Sequence, residues 1–437
     1  MNRISQTFSL TRPYAFKEKL WQWSQQFTTV LWLDSNACPH LYHKFDAVLA
    51  VNVATTLSCG ISRAFNRLSA YRESTKDWIF GYLSYDLKND IETLTSENPD
   101  RLHFPELYFF QPEKIIFITG RTATFSYLSA VKGEAGKDLR NILSYSYPLP
   151  ETLSLPQRLT VKARLQKTDY LEGVHRLLTH IRRGDIYEAN FCQEFYAEKA
   201  VLHPPSIYTT LNALSLAPFS AYLRFEDHYL LCTSPERYLK KEGTKIISQP
   251  IKGTAKRSSD PEKDYNLKTT LENSPKERAE NIMIVDLVRN DLSRIARRGS
   301  VSVEELCKVY SFKQLHQMIS TITCTAKEET DPVAIIKATF PMGSMTGAPK
   351  ISAMKLIETQ EVTKRGLYSG AAGYFSPEDN FDFNVVIRSI LYNAPEQYVS
   401  FSVGSAITAQ SHPEAEYEEC LAKAAAMKQA LIKIQNS

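Results

Sequence analysis

The sequence is poor in cysteine. Seven are scattered over 437 residues, with no Cys-x-x-Cys pair and no Cys/His cluster. That excludes a disulfide framework and a structural zinc site, and indicates a reducing compartment. Long apolar runs are missing too: none approaches the roughly 18–20 residues that span a bilayer, so no membrane is expected. The stretch from Met1 to Phe16 lacks the apolar centre of a secretory signal. Nor does one charge prevail. Lysine and arginine total 52 against 48 aspartates and glutamates, a net +4, which leaves no broad footprint for nucleic acid. There is no internal repeat and no low-complexity tract. What remains, 43% hydrophobic and 23% charged residues, is the composition of a globular, cytoplasmic protein with one large domain or about two or three ordinary ones.

Residues 1–150 read as mixed strand and helix, with buried strands at 30–33 and 115–118 and a strand running into a loop over 81–86. Prolines 148, 150 and 156 mark a linker over 149–159. From 165 to 430 the pattern is sharper. Leu171, Val174, Leu177, Leu178 and Ile181 recur at helical spacing, and Gly184 suits the helix stop. A strand is expected over 185–191, and a hairpin of 220–225 with 228–233 around Glu226-Asp227. A helix follows over 277–292. Asp331-Pro332 and His412-Pro413 each open another helix, with strands at 370–375, 381–392 and 398–407 between them. Hairpins and separated helices together predict an α+β class.

Four features carry possible chemistry. In Ser248-Gln249-Pro250-Ile251-Lys252-Gly253-Thr254 a lysine stands between a proline that fixes φ and a glycine that admits close approach. Glu277 with Glu280, and Glu416 with Glu419, repeat at i, i+3, so each helix offers carboxylates to one hard cation such as Mg2+; Lys423 lies near the second pair. Arg388 ends an alternating run, opposed to the apolar Phe381, Phe383, Val385 and Ile387, and can grip a carboxylate bidentately. Gly343 to Lys350 precedes a helix and can present free N–H groups to an anion, although it lacks phosphate-loop spacing.

Taken in order, Pro250-Ile251-Lys252-Gly253-Thr254, the run Arg278 to Leu287, and Gly347-Ala348-Pro349-Lys350 resemble the chorismate-utilising enzymes. This family includes the anthranilate, isochorismate, salicylate and aminodeoxychorismate synthases. Supporting matches are Ser234-Pro235-Glu236-Arg237, Arg289 to Leu292, Arg365 to Gly370, and Glu416 to Glu419 with Lys423. The resemblance covers roughly residues 165–430. It implies two large, mostly antiparallel sheets packed as a sandwich with helices outside, the two regions intertwined in one globular unit.

The resemblance also implies roles. Lysine at 252 matches the aminodeoxychorismate synthase branch, in which the amine attacks C2 of chorismate and ammonia then displaces it at C4. Such a lysine must shed a proton, so its site should be desolvated or cationic. Glu236 matches the general acid at the departing hydroxyl. Glu280 and Glu419 match Mg2+ ligands, supported by Glu277 and Glu416. Arg388 and Lys423 match groups that bind a carboxylate or the enolpyruvyl arm, and Thr254, Tyr368 and Gly404 line the same site. Glu188 and Gln317 depart from the pattern: relatives often have glutamine at the first position and histidine at the second. His316 cannot stand in for that histidine, because one step along a strand reverses the face. Lysine at the position of Glu188 would suit water activation in isochorismate and salicylate synthases, and it is absent.

No Gly-x-Cys-x-Gly turn occurs, so the resemblance implies a separate glutamine amidotransferase subunit as the ammonia source. Ser35, Pro218 and Phe219 resemble the lining of a tryptophan pocket. The reading is thus amination of chorismate towards 4-aminobenzoate and folate. The alternatives are anthranilate synthase component I, or a catalytically silent homologue that binds an amino acid.

Overall fold

Successive strand residues enter different buried surroundings, and this sets the layers. In strand Val30–Asp34, Leu31 joins one apolar core while Val30 and Trp32 join another. In Ala47–Cys59, Val48 and Ala50 part from Ala47, Leu49 and Val51 in the same way. The computed structural model describes residues 2–38, 42–145, 159–327 and 329–433. Its strands pair antiparallel throughout the described residues, in a network of twenty.

One sheet runs from Arg3–Ser9 through Thr122–Leu128, Leu107–Thr119, Ala47–Cys59 and Val30–Asp34. It continues through Phe219–Phe225, His228–Ser234, Ser389–Asn393 and Tyr398–Thr408 to Glu188–Ala197. The other starts on the first half of Leu107–Thr119 and passes through Ile79–Leu83, Ala371–Phe375, Phe381–Asn384, Arg237–Glu242 and Lys245–Gln249. It ends at Leu315–Thr325, flanked by Ile251–Lys256 and Ser302–Ser311. The two expected sheets are therefore hydrogen-bonded to one another. Ala47–Cys59 and Leu107–Thr119 serve both, with a bulge between Val53 and Thr55 beside Pro112, which has no N–H to give.

One core lies between the sheets. The other lies between the first sheet and a helix layer, into which Leu20, Leu177, Leu211 and Met427 project from four helices. Among the described residues no helix is long and apolar enough to cross a membrane.

Several local expectations hold. Helix Lys167–Arg183 stops at Gly184, φ +83; the 219–234 hairpin turns with Glu226 at φ +48; helices open at Pro332 and Pro413. Two strands differ. The one expected at 185–191 begins at Glu188. The run 381–392 breaks into Phe381–Asn384 and Ser389–Asn393, with Arg388 between them at φ +50. The N–H groups of Val385 and Val386 bond instead to the Glu236 and Gly370 carbonyls, and both valines are buried, so Arg388 is not set by simple alternation. Of the expected linker, 149–158 lie outside the described residues.

Phe109, fully buried on a strand that serves both sheets, packs its ring on Phe375 and Phe383 at 5.7 and 6.1 Å. Phe109→Ala should cost about 3–5 kcal/mol, read as a lower urea midpoint at unchanged slope.

Candidate active site

Pro250 separates strand Lys245–Gln249 from Ile251–Lys256, and the register against Leu315–Thr325 slips between Ile251 and Thr254. At this slip Lys252 lines a cleft of about 1170 Å³. Gly253 has φ +85, and a Cβ there would sit 3.0 Å from a carboxylate oxygen of Glu277. Glycine thus lets helix Pro275–Ser293 press against the lysine turn. Ser274 caps that helix by accepting from the Glu277 N–H at 3.4 Å. Across the cleft, helix Pro413–Lys433 brings Glu416, Glu419 and Lys423, whose amine donates to the Gly404 carbonyl at 2.8 Å.

Glu236 stands between strands His228–Ser234 and Arg237–Glu242. Its carbonyl accepts from the Val385 N–H at 3.0 Å. It is buried, and desolvation pushes its carboxyl up to about 7 against the Ser344 hydroxyl and the Lys252 charge. Lys252 donates to Glu188 Oε1 at 2.9 Å, with Glu188 itself 1% exposed. Desolvation lowers the lysine pKa, but Glu188, Glu280 and Glu236 outweigh it and the net shift is upward. The expected desolvation is there; the expected ease of losing a proton is not, because the surroundings are anionic.

Tyr368 is buried with its hydroxyl 3.8 Å from Cys192 Sγ. The neighbouring Arg365–Glu361 pair holds the Asn190 carbonyl and the Cys192 N–H. Arg388 also lines the cleft; burial alone lowers its pKa, and no carboxylate among the described residues bears on it. Thr254 and Gln317 are register partners and both line the cleft. His316 points to the opposite face, between Asp264 at 3.1 Å and Ser311 at 2.9 Å, as the one-residue shift required. In the loop before helix Lys350–Gln360, Gly347-Ala348 pairs with Ala189 and Glu188 as a short strand, while Ser344 and Met345 line the cleft.

Glu277, Glu280, Glu416 and Glu419 all line the cleft. Glu280 Oε1 is buried without a hydrogen-bond partner among the described residues, and burial pushes its carboxyl up to about 7. Such an oxygen suits a hard cation. Yet no three such ligands converge at metal distance among the described residues. Lys276 Nζ lies between Glu280 and Glu416, at 3.9 and 3.8 Å; Glu419 pairs with Lys423 at 2.7 Å; and Glu416 accepts from Ser405. The donor chemistry fits Mg2+, with a lysine among the carboxylates. Sequence reasoning missed Lys276, although its i, i+4 spacing to Glu280 was available. It also missed Asn190, which no spacing singles out, and the side-chain contact of Ser344 within the 343–350 loop.

Ser35, Pro218 and Phe219 line a second cavity of about 70 Å³, walled by Arg237. Arg237 grips Asp382 bidentately at 2.9 and 3.0 Å and lies over the Phe219 ring.

Comparison with known proteins accords with this geometry. Residues 21–429 match the chorismate binding enzyme family. A rice protein (Oryza sativa subsp. japonica) named probable aminodeoxychorismate synthase, chloroplastic, is 42% identical over 263 residues, covering 60% of this chain but 29% of the rice protein. The chain thus spans under a third of that relative's length. Aminodeoxychorismate synthase component 1 of Escherichia coli (strain K12) is 31% identical over 417 residues, 90% of each chain. Among solved structures, anthranilate synthase component I from Streptococcus pneumoniae TIGR4 superposes with a TM-score of 0.76 at 25% identity, covering 89% of this chain and 93% of that one. On the family match over most of its length, and on the site just described, the chain belongs to the chorismate binding enzymes.

Proposed function

We propose that this chain aminates chorismate with ammonia to 4-amino-4-deoxychorismate, on the route to 4-aminobenzoate and folate, in the cytoplasm. The observation that carries the reading is Lys252: a primary amine held in the cleft beside Glu236, a carboxyl poised near neutrality. The amine attacks C2 and Glu236 protonates the departing 4-hydroxyl. Ammonia then adds at C4 as the lysine leaves. Arg388 and Lys423 receive a substrate carboxylate or the enolpyruvyl arm. Glu280 and Glu419, with Glu277 and Glu416 around them, would hold Mg2+, which supplies charge to neutralise a substrate carboxylate. A separate glutamine amidotransferase subunit delivers the ammonia, and the cavity at Ser35, Pro218 and Phe219 receives tryptophan.

Purified protein given chorismate, Mg2+ and ammonium at mildly alkaline pH should yield aminodeoxychorismate, identified by mass and chromatography. Lys252→Ala should lose at least about 100-fold in rate. Anthranilate as the product would make the chain an anthranilate synthase. No turnover by a folded wild type would favour a silent amino-acid-binding homologue, and an active alanine variant would remove the lysine adduct from the pathway.

Arg388→Ala deletes charge-assisted bonds to substrate, so KM should rise about 10–100-fold with a smaller change in kcat.

Glu236 also links function to stability. Burial pushes its carboxyl up to about 7, against about 4.5 for the group in the open chain. Below 4.5 both states hold the proton and nothing is lost. As pH rises through the interval the fold gives up stability, by about 3 kcal/mol above 7. Glu236→Gln should therefore melt higher than wild type at about pH 8, show little gain at about pH 4, and be inactive. A gain independent of pH would count against a raised carboxyl.

A further inference from the structure

We propose that Glu188 is the catalytic base that takes the Lys252 proton and later returns it. The inference rests on the amination reading for the identity of the electrophile. Several carboxylates act on the lysine: Glu188 from strand Glu188–Ala197, Glu280 from helix Pro275–Ser293 and Glu236 from the turn before Arg237. Glu277 and Glu419 also feel its charge. Among the described residues, Glu188 is the one in hydrogen-bond contact with the amine, at 2.9 Å. Glu236 is needed protonated for the leaving hydroxyl, and Glu280 is committed to the cation cluster.

Glu188 is also built to accept. Its second oxygen, Oε2, is buried with no hydrogen-bond partner among the described residues. That oxygen, on the carboxylate already in contact with the amine, is the open acceptor position beside Lys252. Its backbone is clamped on both sides. Thr408 is its register partner in one direction and Ala348 in the other, and the Tyr187 N–H donates to the Ala348 carbonyl at 2.7 Å. Gly347, at φ +152, comes so near that a Cβ would stand 2.1 Å from the Glu188 carbonyl oxygen.

The protons balance. An Nζ–H bond breaks and an O–H bond forms on Glu188. The freed lone pair forms the Nζ–C2 bond as the C4–O bond breaks, and the Glu236 proton leaves with that oxygen as water. When ammonia bonds to C4 and the Nζ–C2 bond breaks, lysine departs as a neutral amine and recovers its proton from Glu188, while the new C4 ammonium returns one proton to Glu236.

The test uses the full chain carrying Glu188→Gln, with Glu188→Asp beside it. Lys252 acylation by acetic anhydride is followed by mass spectrometry against pH on ligand-free protein, and turnover is measured with chorismate, Mg2+ and ammonium. The midpoint of Lys252 labelling should fall by about one unit or more in the glutamine variant. Its kcat should drop about 10²–10⁴-fold at a KM within about threefold of wild type, and aspartate should restore part of the rate. A kcat within about threefold of wild type, or an unmoved midpoint, overturns the proposal. A moved midpoint in a protein whose wild type makes no aminodeoxychorismate sinks the amination reading instead, and leaves the Glu188–Lys252 proton couple standing. Should the glutamine variant misfold, the aspartate variant is read by the same criteria.

Discussion

The site depends on a balance of buried charge. Glu236, Glu277, Glu280, Glu416 and Glu419 share one cleft with Lys252, Lys276 and Lys423, and Glu188 pairs with Lys252 at 2.9 Å. Removing that many carboxylates from water without compensation would drive most of them neutral. The structure sorts them by partner. Glu419, paired with Lys423, is held below the usual carboxylate range despite its burial. Glu280 and Glu236, which have weaker compensation, stand near neutrality. One residue type thus spans ionised and near-neutral forms within one cleft, according to the lysine each carboxyl is paired with.

Much of this was legible in the sequence because it rests on local rules. The hairpin at Glu226-Asp227, the glycine stop at 184 and the proline-led helices need only a few neighbouring residues. Helical spacing placed Glu277 with Glu280 and Glu416 with Glu419 on faces that do turn to the cleft. Period-two reasoning also separated Gln317 from His316 correctly.

What was not legible depends on partners distant in the chain. The run after Phe381 looked like one strand because its apolar residues alternate. It breaks because the Glu236 and Gly370 carbonyls capture the N–H groups of Val385 and Val386. Lys276 drew no notice in the sequence, because Glu416, beside it at 3.8 Å, comes from a second helix some 140 residues later. The lysine turn looked suited to a deprotonated amine until the strand at Glu188 supplied a carboxylate. In each case the setting of the group is decided by tertiary neighbours.

Strands that pair across long stretches of sequence bear on how the polypeptide comes into being. Ile79–Leu83 hydrogen-bonds to Ala371–Phe375, and Val30–Asp34 to Phe219–Phe225. A ribosome delivers the first partner of each pair long before the second. Early strands therefore wait with open edges while hundreds of residues are made, and loop-closure entropy must be met before those contacts return anything. Such a chain matures late and is exposed to edge-to-edge association meanwhile. Glu416 and Glu419 can join the lysine only after helix Pro413–Lys433 has been made.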